Sequence, residues 1–142
     1  MLYFAYGSNI DTSQMLYRCP DAEWIAVGSV TGRKFHINSR GVATIVPLQD
    51  GTVYGVLWEL SAADERALDR YEGVARNLYQ KQEVAVLLKD GQRANALVYL
   101  AVDEELGSPR AGYLEAIVAA ARSAGFPPEY VQELNAWSMI GE

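Results

Sequence analysis

The sequence predicts an α+β fold whose centre is a mostly antiparallel β-barrel of about six or seven strands, flanked by helices. The predicted strands occupy the first three quarters of the chain, several of them with no helix in between, and two helices follow at the end. Because parallel neighbours need a long crossover connection, such consecutive strands pair antiparallel. Seven short strands often curl into a barrel, which removes exposed sheet edges.

Apolar and aromatic runs bounded by glycine, proline and asparagine define the strands. The predicted strands are residues 1–6, 26–30, 33–38, 42–46, 52–60, 79–88 and 93–102. Gly32 and Gly41 separate three of the short strands, and Asp90-Gly91 between the last two is typical of a tight hairpin.

Capping residues define the helices. Asp11 is the predicted N-cap of a helix over residues 11–18, and Ser61 with Asp64 forms a capping box for a helix over residues 61–72. Ser108-Pro109 is predicted to open a third helix, which Gly125 ends, and Pro127-Pro128 opens a fourth.

Length and composition exclude several classes of protein. The 142 residues predict one domain over 1–142, and half of them are apolar, enough for a core without disulfides. The net charge is −6 and the basic residues never exceed the pair Arg33-Lys34, which argues against a nucleic-acid partner. The longest apolar run is seven residues, 96–102, too short for a membrane span.

Two further absences bear on location and metal binding. The apolar N-terminus has no basic residue before Arg18, so it does not resemble a secretory signal, and the expected location is the cytoplasm. The sequence contains one cysteine, Cys19, and one histidine, His36. They cannot build a tetrahedral zinc site, so no metal is expected, and both residues are interpreted as structural.

The first candidate site is Tyr6-Gly7-Ser8-Asn9, between the first strand and the first helix. Glycine lets a ligand approach the backbone closely, and successive N–H groups in such a turn can cradle an anion. On spacing alone, an ordinary strand-to-helix turn is the simpler interpretation.

The second candidate is Glu72, in the last turn of the helix over residues 61–72. It faces the negative end of the helix dipole and lies four residues after Leu68, at the edge of the apolar stripe. Both features favour the protonated carboxyl and raise its pKa, which suits a proton shuttle. Taken alone, the pattern fits a solvated glutamate better.

Nine tyrosines form the third candidate feature. Tyrosine combines apolar area with a polar tip, which suits the wall of a small polar pocket, although most of the nine are expected in the core or at its rim.

Several motifs in the same order resemble the γ-glutamylcyclotransferases over nearly the whole chain. The matching segments are Tyr3-Phe4-Ala5-Tyr6-Gly7-Ser8-Asn9, Gly41-Val42-Ala43-Thr44-Ile45, Val53-Tyr54-Gly55-Val56-Leu57-Trp58, Leu68-Asp69-Arg70-Tyr71-Glu72-Gly73-Val74, Tyr79, and the closing region with Ser108-Pro109, Tyr113-Leu114 and Gly125-Phe126-Pro127-Pro128-Glu129-Tyr130. The loop between Asn38 and Gly41 is shorter than in the longer eukaryotic members.

The resemblance implies a closed barrel and a reaction that needs neither metal nor cofactor. A γ-glutamyl compound is converted to 5-oxoproline and an amine or amino acid is released, with Glu72 as the general base and acid. The implied substrate-binding residues are Tyr3, Phe4, Ala5, Tyr6, Gly7, Ser8, Asn9, Tyr99 and Tyr113, and Arg40 is a candidate for the substrate carboxylate. The implied partner is a small γ-glutamyl molecule, and the implied assembly is a homodimer.

Three alternatives stay open at this point. The leaving group could be an amine, such as the ε-amine of lysine or a biosynthetic intermediate, rather than an amino acid. The chain could be a non-catalytic module that binds small ligands, although binding alone needs no base at Glu72. A hydrolase would release free glutamate instead of 5-oxoproline.

Overall fold

The computed structural model describes residues 1–139, which form five strands, four α-helices and three short 3₁₀ turns. The strands are β1 (Leu2–Ala5), β2 (Glu23–Ile37), β3 (Ala43–Glu59), β4 (Tyr79–Leu88) and β5 (Arg93–Ala101). The helices are α1 (Thr12–Arg18), α2 (Ala62–Tyr71), α3 (Tyr113–Ser123) and α4 (Pro128–Asn135). The 3₁₀ turns are Ser8–Ile10, Val74–Arg76 and Ala136–Met139.

The strands close into a barrel in the order β1-β3-β2-β4-β5. Every pairing is antiparallel except the last, in which β5 meets β1 in parallel at Leu97 and Tyr3. This agrees with the predicted α+β class and the mostly antiparallel barrel. No described helix, in residues 1–139, is long and apolar enough to cross a membrane.

The barrel has five strands rather than six or seven because two pairs of predicted strands are continuous. β2 runs through Gly32, and β3 runs through the four residues 48–51, which face Gly32 where the register shifts between Thr31 and Arg33. Gly32 has φ +82°. Glycine at such a position marks a bulge in a pair that continues on both sides, not the end of a strand.

The predicted helix caps are correct at three of four helices. Asp11 caps α1, Ser61 and Asp64 form the capping box of α2, and Pro128 is the first residue of α4. The prediction for α3 is wrong, because that helix begins at Tyr113 rather than at Ser108-Pro109.

Hydrogen bonds hold the segment before α3 in a non-helical path. The Gly107 N–H donates to Ile37 O at 3.0 Å and the Arg110 N–H donates to Gly41 O at 3.1 Å. These bonds tie the segment to the β2–β3 loop. Gly112, with φ +77°, then turns the chain into α3.

The core fills the barrel and continues under the helices. Its fully buried large side chains include Phe4, Met15, Ile37, Ile45, Leu57, Trp58, Leu68, Leu114, Ile117 and Leu134. Leu68 anchors α2 to this core. Replacing a buried leucine by alanine typically costs about 2–5 kcal/mol, so the position of the end of α2 is strongly fixed.

Candidate active site

A cavity of about 180 Å³ opens at one end of the barrel. Its walls come from β1 and the following turn, the β2–β3 loop, the end of α2 with the start of β4, and residues of β5 and α3. The lining residues are Tyr3, Tyr6, Gly7, Ser8, Asn9, Arg40, Val42, Ala43, Tyr71, Glu72, Arg76, Leu78, Tyr79, Tyr99, Arg110 and Tyr113. The turn at residues 7–9 and Glu72, sixty-odd positions apart in the chain, therefore share one cavity.

The 7–9 turn lines the cavity, and two of its backbone N–H groups have no hydrogen-bond partner within the turn. The first hydrogen bond of the 3₁₀ turn runs from Ile10 N–H to Gly7 O at 3.0 Å, so the N–H groups of Ser8 and Asn9 precede it and have no partner inside the turn. A Cβ on Gly7 would lie 3.4 Å from Ala43 Cβ and 3.7 Å from the Tyr113 hydroxyl. Glycine therefore keeps this part of the cavity open.

Asn9 is only 2% exposed, and protein groups bind its polar atoms. Its Nδ2 donates to the Tyr3 hydroxyl at 3.1 Å, its Oδ1 accepts from Arg18 Nη1, and its backbone oxygen accepts from Trp58 Nε1 at 3.0 Å. A buried side-chain amide that is hydrogen-bonded at both its nitrogen and its oxygen is held in one orientation. The side chain of Asn9 thus positions the turn.

Glu72 follows the last residue of α2, where Gly73 ends the helix in the left-handed region at φ +68°. Its backbone N–H donates to Leu68 O at 2.8 Å, while its partly exposed side chain faces the cavity. Burial raises the pKa of the Glu72 carboxyl to about 7, and the positive charges of Arg18 and Arg40 oppose this rise. A carboxyl with this pKa can both accept and donate a proton near neutral pH.

Four tyrosine hydroxyls around the carboxyl are held by protein groups. Tyr79 donates to Ala43 O at 2.8 Å, and Tyr113 accepts from Ala43 N–H at 2.9 Å. Tyr6 donates to Tyr99 O at 2.5 Å, and Tyr99 donates to Asp69 Oδ1 at 2.7 Å. Burial is the largest cause that raises the pKa of each of these phenols, to about 12 for Tyr113. They form a neutral wall with fixed ring positions.

Three arginines contribute positive charge to the lining. They are Arg40, Arg76 and Arg110, and Glu72 is the one carboxylate among the lining residues in the described part of the chain. Arg110 Nε donates to Arg40 O at 2.8 Å, which fixes the short loop against the segment before α3. The cavity therefore favours an anionic ligand although the chain as a whole is acidic.

The structure brings most of the predicted site residues together. Tyr3, Tyr6, Gly7, Ser8, Asn9, Tyr99, Tyr113, Arg40 and Glu72 all line the cavity. Phe4 and Ala5 do not line it. Phe4 is fully buried against Gly55, and Ala5 is buried beside it on β1.

Three side chains at or behind the site were not predicted from the sequence: Arg18, Arg76 and Arg110. Arg18 is the only one with a local signal, its spacing of four from Gln14 on α1, with which it makes a hydrogen bond of 3.0 Å. Arg76 and Arg110 reach the lining through loop conformations that no sequence pattern specifies.

Fold and site together define a class of protein: a small closed barrel with one titratable carboxyl in a cavity walled by tyrosines. Comparison with known sequences narrows this class. A family model described as the AIG2-like family matches residues 52–134. The human γ-glutamylcyclotransferase is 32% identical over 145 residues, covering 95% of this chain and 77% of its own length. The mouse enzyme is 31% identical with the same coverage.

Solved structures agree with this assignment. A γ-glutamyl cyclotransferase structure superposes with a TM-score of 0.90 at 32% identity, over 96% of this chain and 86% of its own. A Bacillus subtilis structure shares the fold with a TM-score of 0.82 at 23% identity, over 97% of this chain and 54% of its own. The chain belongs to the AIG2-like family and is similar to its γ-glutamylcyclotransferases.

Proposed function

We propose that this protein is a γ-glutamylcyclotransferase, which converts a γ-glutamyl compound to 5-oxoproline and releases an amine or amino acid. One observation carries the proposal: Glu72, a carboxyl with a pKa of about 7, shares a small cavity with the 7–9 turn, in which the N–H groups of Ser8 and Asn9 have no partner inside the turn. The relatives named γ-glutamylcyclotransferase support it.

Glu72 supplies the proton transfers. The α-amine of the substrate must lose a proton before it attacks the γ-carbonyl carbon, because an α-amine has a pKa of roughly 8. This first proton leaves to solvent. As the new C–N bond closes the five-membered ring, the Glu72 carboxylate takes a second proton from the attacking nitrogen. The protonated carboxyl then gives the proton to the leaving nitrogen as the original C–N bond breaks, so Glu72 ends in its starting state.

The 7–9 turn stabilises the oxyanion of the ring-closing step. The N–H groups of Gly7, Ser8 and Asn9 are the proposed donors, held in place before the reaction by the bonds to Asn9. Each preorganised donor of this kind typically lowers the activation barrier by about 3–4 kcal/mol.

The tyrosine walls bend the substrate. A cavity of about 180 Å³ is small, and an extended γ-glutamyl group does not bring its amine to its carbonyl. Tyr3, Tyr6 and Tyr113 have buried or half-buried rings that enforce the bend. Orientation of this kind can supply up to about 7–11 kcal/mol.

Arg40 is the proposed partner of a substrate carboxylate. It lines the cavity, and its charge acts on the Glu72 carboxyl from the side of the β2–β3 loop. A cytoplasmic location and a homodimer remain parts of the proposal, and light scattering on the purified protein measures the second.

Incubation with γ-glutamyl-amino acids and γ-glutamylamines, followed by separation of the products, tests the activity. The expected product is 5-oxoproline together with the free amine or amino acid. Free glutamate in its place would identify a hydrolase. Saturable binding without any product would identify a binding module, and the panel of leaving groups separates amino acids from amines.

A further inference from the structure

Arg18 lies outside the cavity lining and contacts both the 7–9 turn and the end of α2. It is the last residue of α1 and is half-buried. Its Nη1 donates to Ser8 Oγ at 3.1 Å and to Asn9 Oδ1, and its Nη2 donates to Gln14 Oε1 at 3.0 Å. One guanidinium thus holds both polar side chains of the turn that carries the proposed oxyanion donors.

The flat face of the guanidinium contacts Tyr71, in the segment that carries Glu72. The Arg18 guanidinium carbon lies 3.8 Å from the centre of the Tyr71 ring, within the range of a cation–π interaction. Tyr71 is the residue immediately before Glu72 and is 44% exposed, so the arginine covers one face of a ring that solvent would otherwise reach.

The geometry of guanidinium explains why arginine stands here. Its planar fork can donate in two directions within its plane and stack on a ring above it, whereas an ammonium group is a point charge without a flat face. Both properties are used here. The N–H groups donate to Ser8, Asn9 and Gln14, and the flat face stacks on Tyr71.

We propose that Arg18 is a positioning residue, which clamps the 7–9 turn to the end of α2 and thereby fixes the proposed oxyanion donors relative to the Glu72 carboxyl. This inference rests on the proposed function for its meaning in catalysis. The clamp itself is a property of the structure that can be measured without substrate.

The charge of Arg18 also acts on Glu72, together with other groups. Arg18 from α1 and Arg40 from the β2–β3 loop act on the carboxyl, and the carboxyl in turn acts on five phenols, those of Tyr3, Tyr6, Tyr79, Tyr99 and Tyr113. Arg76, Arg110 and Tyr71 line the same cavity. Arg18 and Arg40 are the two cations that lower the pKa of Glu72. Loss of Arg18 therefore moves that pKa upward.

Three variants separate the clamp from the charge. Arg18→Met removes both, Arg18→Lys keeps the charge but not the fork, and Gln14→Ala removes one partner of Arg18 without touching the turn. We expect kcat to fall by roughly 10–100-fold in Arg18→Met, the size of effect that a 1 Å misplacement produces. Arg18→Lys is expected to keep the pH profile while kcat remains low, and Gln14→Ala to stay near the wild type.

Two measurements without substrate keep this inference separate from the proposed function. A ¹³C titration of the Glu72 carboxyl is expected to move upward in Arg18→Met and to remain in place in Arg18→Lys. Amide exchange at Ile10 and Asp11, whose N–H groups donate to Gly7 O and Ser8 O and so close the turn, is expected to accelerate in both. If the wild type forms no 5-oxoproline, the proposed function fails while these two measurements still decide whether the clamp exists.

Chemical rescue gives a third readout. Millimolar guanidinium ion added to folded Arg18→Ala is expected to restore part of the slow exchange at Ile10 and Asp11, whereas ammonium ion is not. A folded Arg18→Met with an unchanged Glu72 titration and unchanged amide exchange would overturn the proposal. Full kcat in Arg18→Lys would also overturn it, because the charge alone would then suffice.

Discussion

The 7–9 turn and the end of α2 meet in one cavity but differ in how their polar side chains are held. In the turn, the polar side-chain atoms of Asn9 and the hydroxyl of Ser8 have protein partners. At the end of α2, burial and the charges of Arg18 and Arg40 set the pKa of Glu72, with no hydrogen bond to its carboxyl from residues 1–139 among the causes.

This difference suits the reaction proposed for the site. Donors that stabilise an oxyanion act best when they are fixed before the reaction. In the turn, the side chains of Ser8 and Asn9 are bonded, while the N–H groups of both residues have no partner inside the turn. A carboxyl that shuttles protons needs a pKa near the working pH, so that its protonated and ionised forms are both populated. Hydrogen bonds to the ionised form would lower the pKa below this range. The cavity therefore combines a rigid half with a half that titrates.

The largest expected effect is the loss of turnover in Glu72→Gln. The amide keeps the shape of the side chain but cannot exchange the proton, so kcat is expected to fall by about 10²–10⁴-fold or more while substrate binding is retained. Release of 5-oxoproline measures kcat, and calorimetry measures binding. Glu133→Gln, on the exposed side of α4 and outside the cavity lining, is the control. Near-normal turnover in folded Glu72→Gln would remove Glu72 from the mechanism.

The same variant is expected to be more stable than the wild type at high pH. The pKa of Glu72 is about 7 in the folded protein against an ordinary value of 4.5, so the fold favours the protonated form. The contribution of Glu72 to stability is complete below pH 4.5 and is lost as the pH rises through about 7. By pH 8.5 the loss is at most about 3.5 kcal/mol, since each pKa unit corresponds to about 1.4 kcal/mol.

Urea unfolding of the wild type and Glu72→Gln at pH 4 and pH 8.5 measures this difference. The two proteins are expected to be alike at pH 4, and Glu72→Gln is expected to be the more stable at pH 8.5. A difference that does not change with pH would mean that the carboxyl is as well solvated in the folded state as in the unfolded one.

Gly7→Ala tests the rigid half of the cavity. The added methyl meets Ala43 Cβ at 3.4 Å and the Tyr113 hydroxyl at 3.7 Å, which are ordinary contact distances. The fold is therefore expected to persist, while the methyl occupies space beside the proposed oxyanion donors. A single added carbon changes kcat/KM by about 10–200-fold in well-fitted pockets, and a decrease in this range is expected. Unchanged kcat/KM would place the substrate elsewhere in the cavity.

Lys81→Met is expected to have the smallest effect. Lys81 Nζ lies 2.5 Å from Glu65 Oε2 and 3.1 Å from Asp69 Oδ2, on the outer side of the helix that leads to Glu72. Exposed ion pairs typically contribute about 0–1 kcal/mol, so the free energy of unfolding is expected to change by less than about 1 kcal/mol. A large loss of activity would show that the end of α2 depends on its surface charges and not on Leu68.

Local patterns predicted the elements that local interactions determine. The capping box at Ser61 and Asp64 and the Asp-Gly hairpin before β5 involve residues within a few positions of each other. The placement of Glu72 beside the cavity followed from the helix register together with the family resemblance. Its raised pKa agrees with the sequence argument, although the largest cause is burial and not the helix dipole.

Long-range contacts decided the features that the sequence did not predict. Ser108-Pro109 has the pattern of a helix start, but bonds to Ile37 and Gly41, about seventy residues earlier, hold that segment outside a helix. The continuity of β2 through Gly32 depends on pairing with β3. Arg18 gains its role from Ser8, ten residues before it, and from Tyr71, on another helix.

The position of β1 in the barrel has a consequence for the order of folding. β1 pairs with residues 56–59 of β3 on one side and with Leu97 of β5 on the other. Pairings between segments so distant in the chain form slowly, because the intervening chain must first lose its conformational freedom. β1 is therefore locked on both sides only after β3 and β5, which follow it in the chain, have taken their places, and the turn after β1 becomes ordered with it.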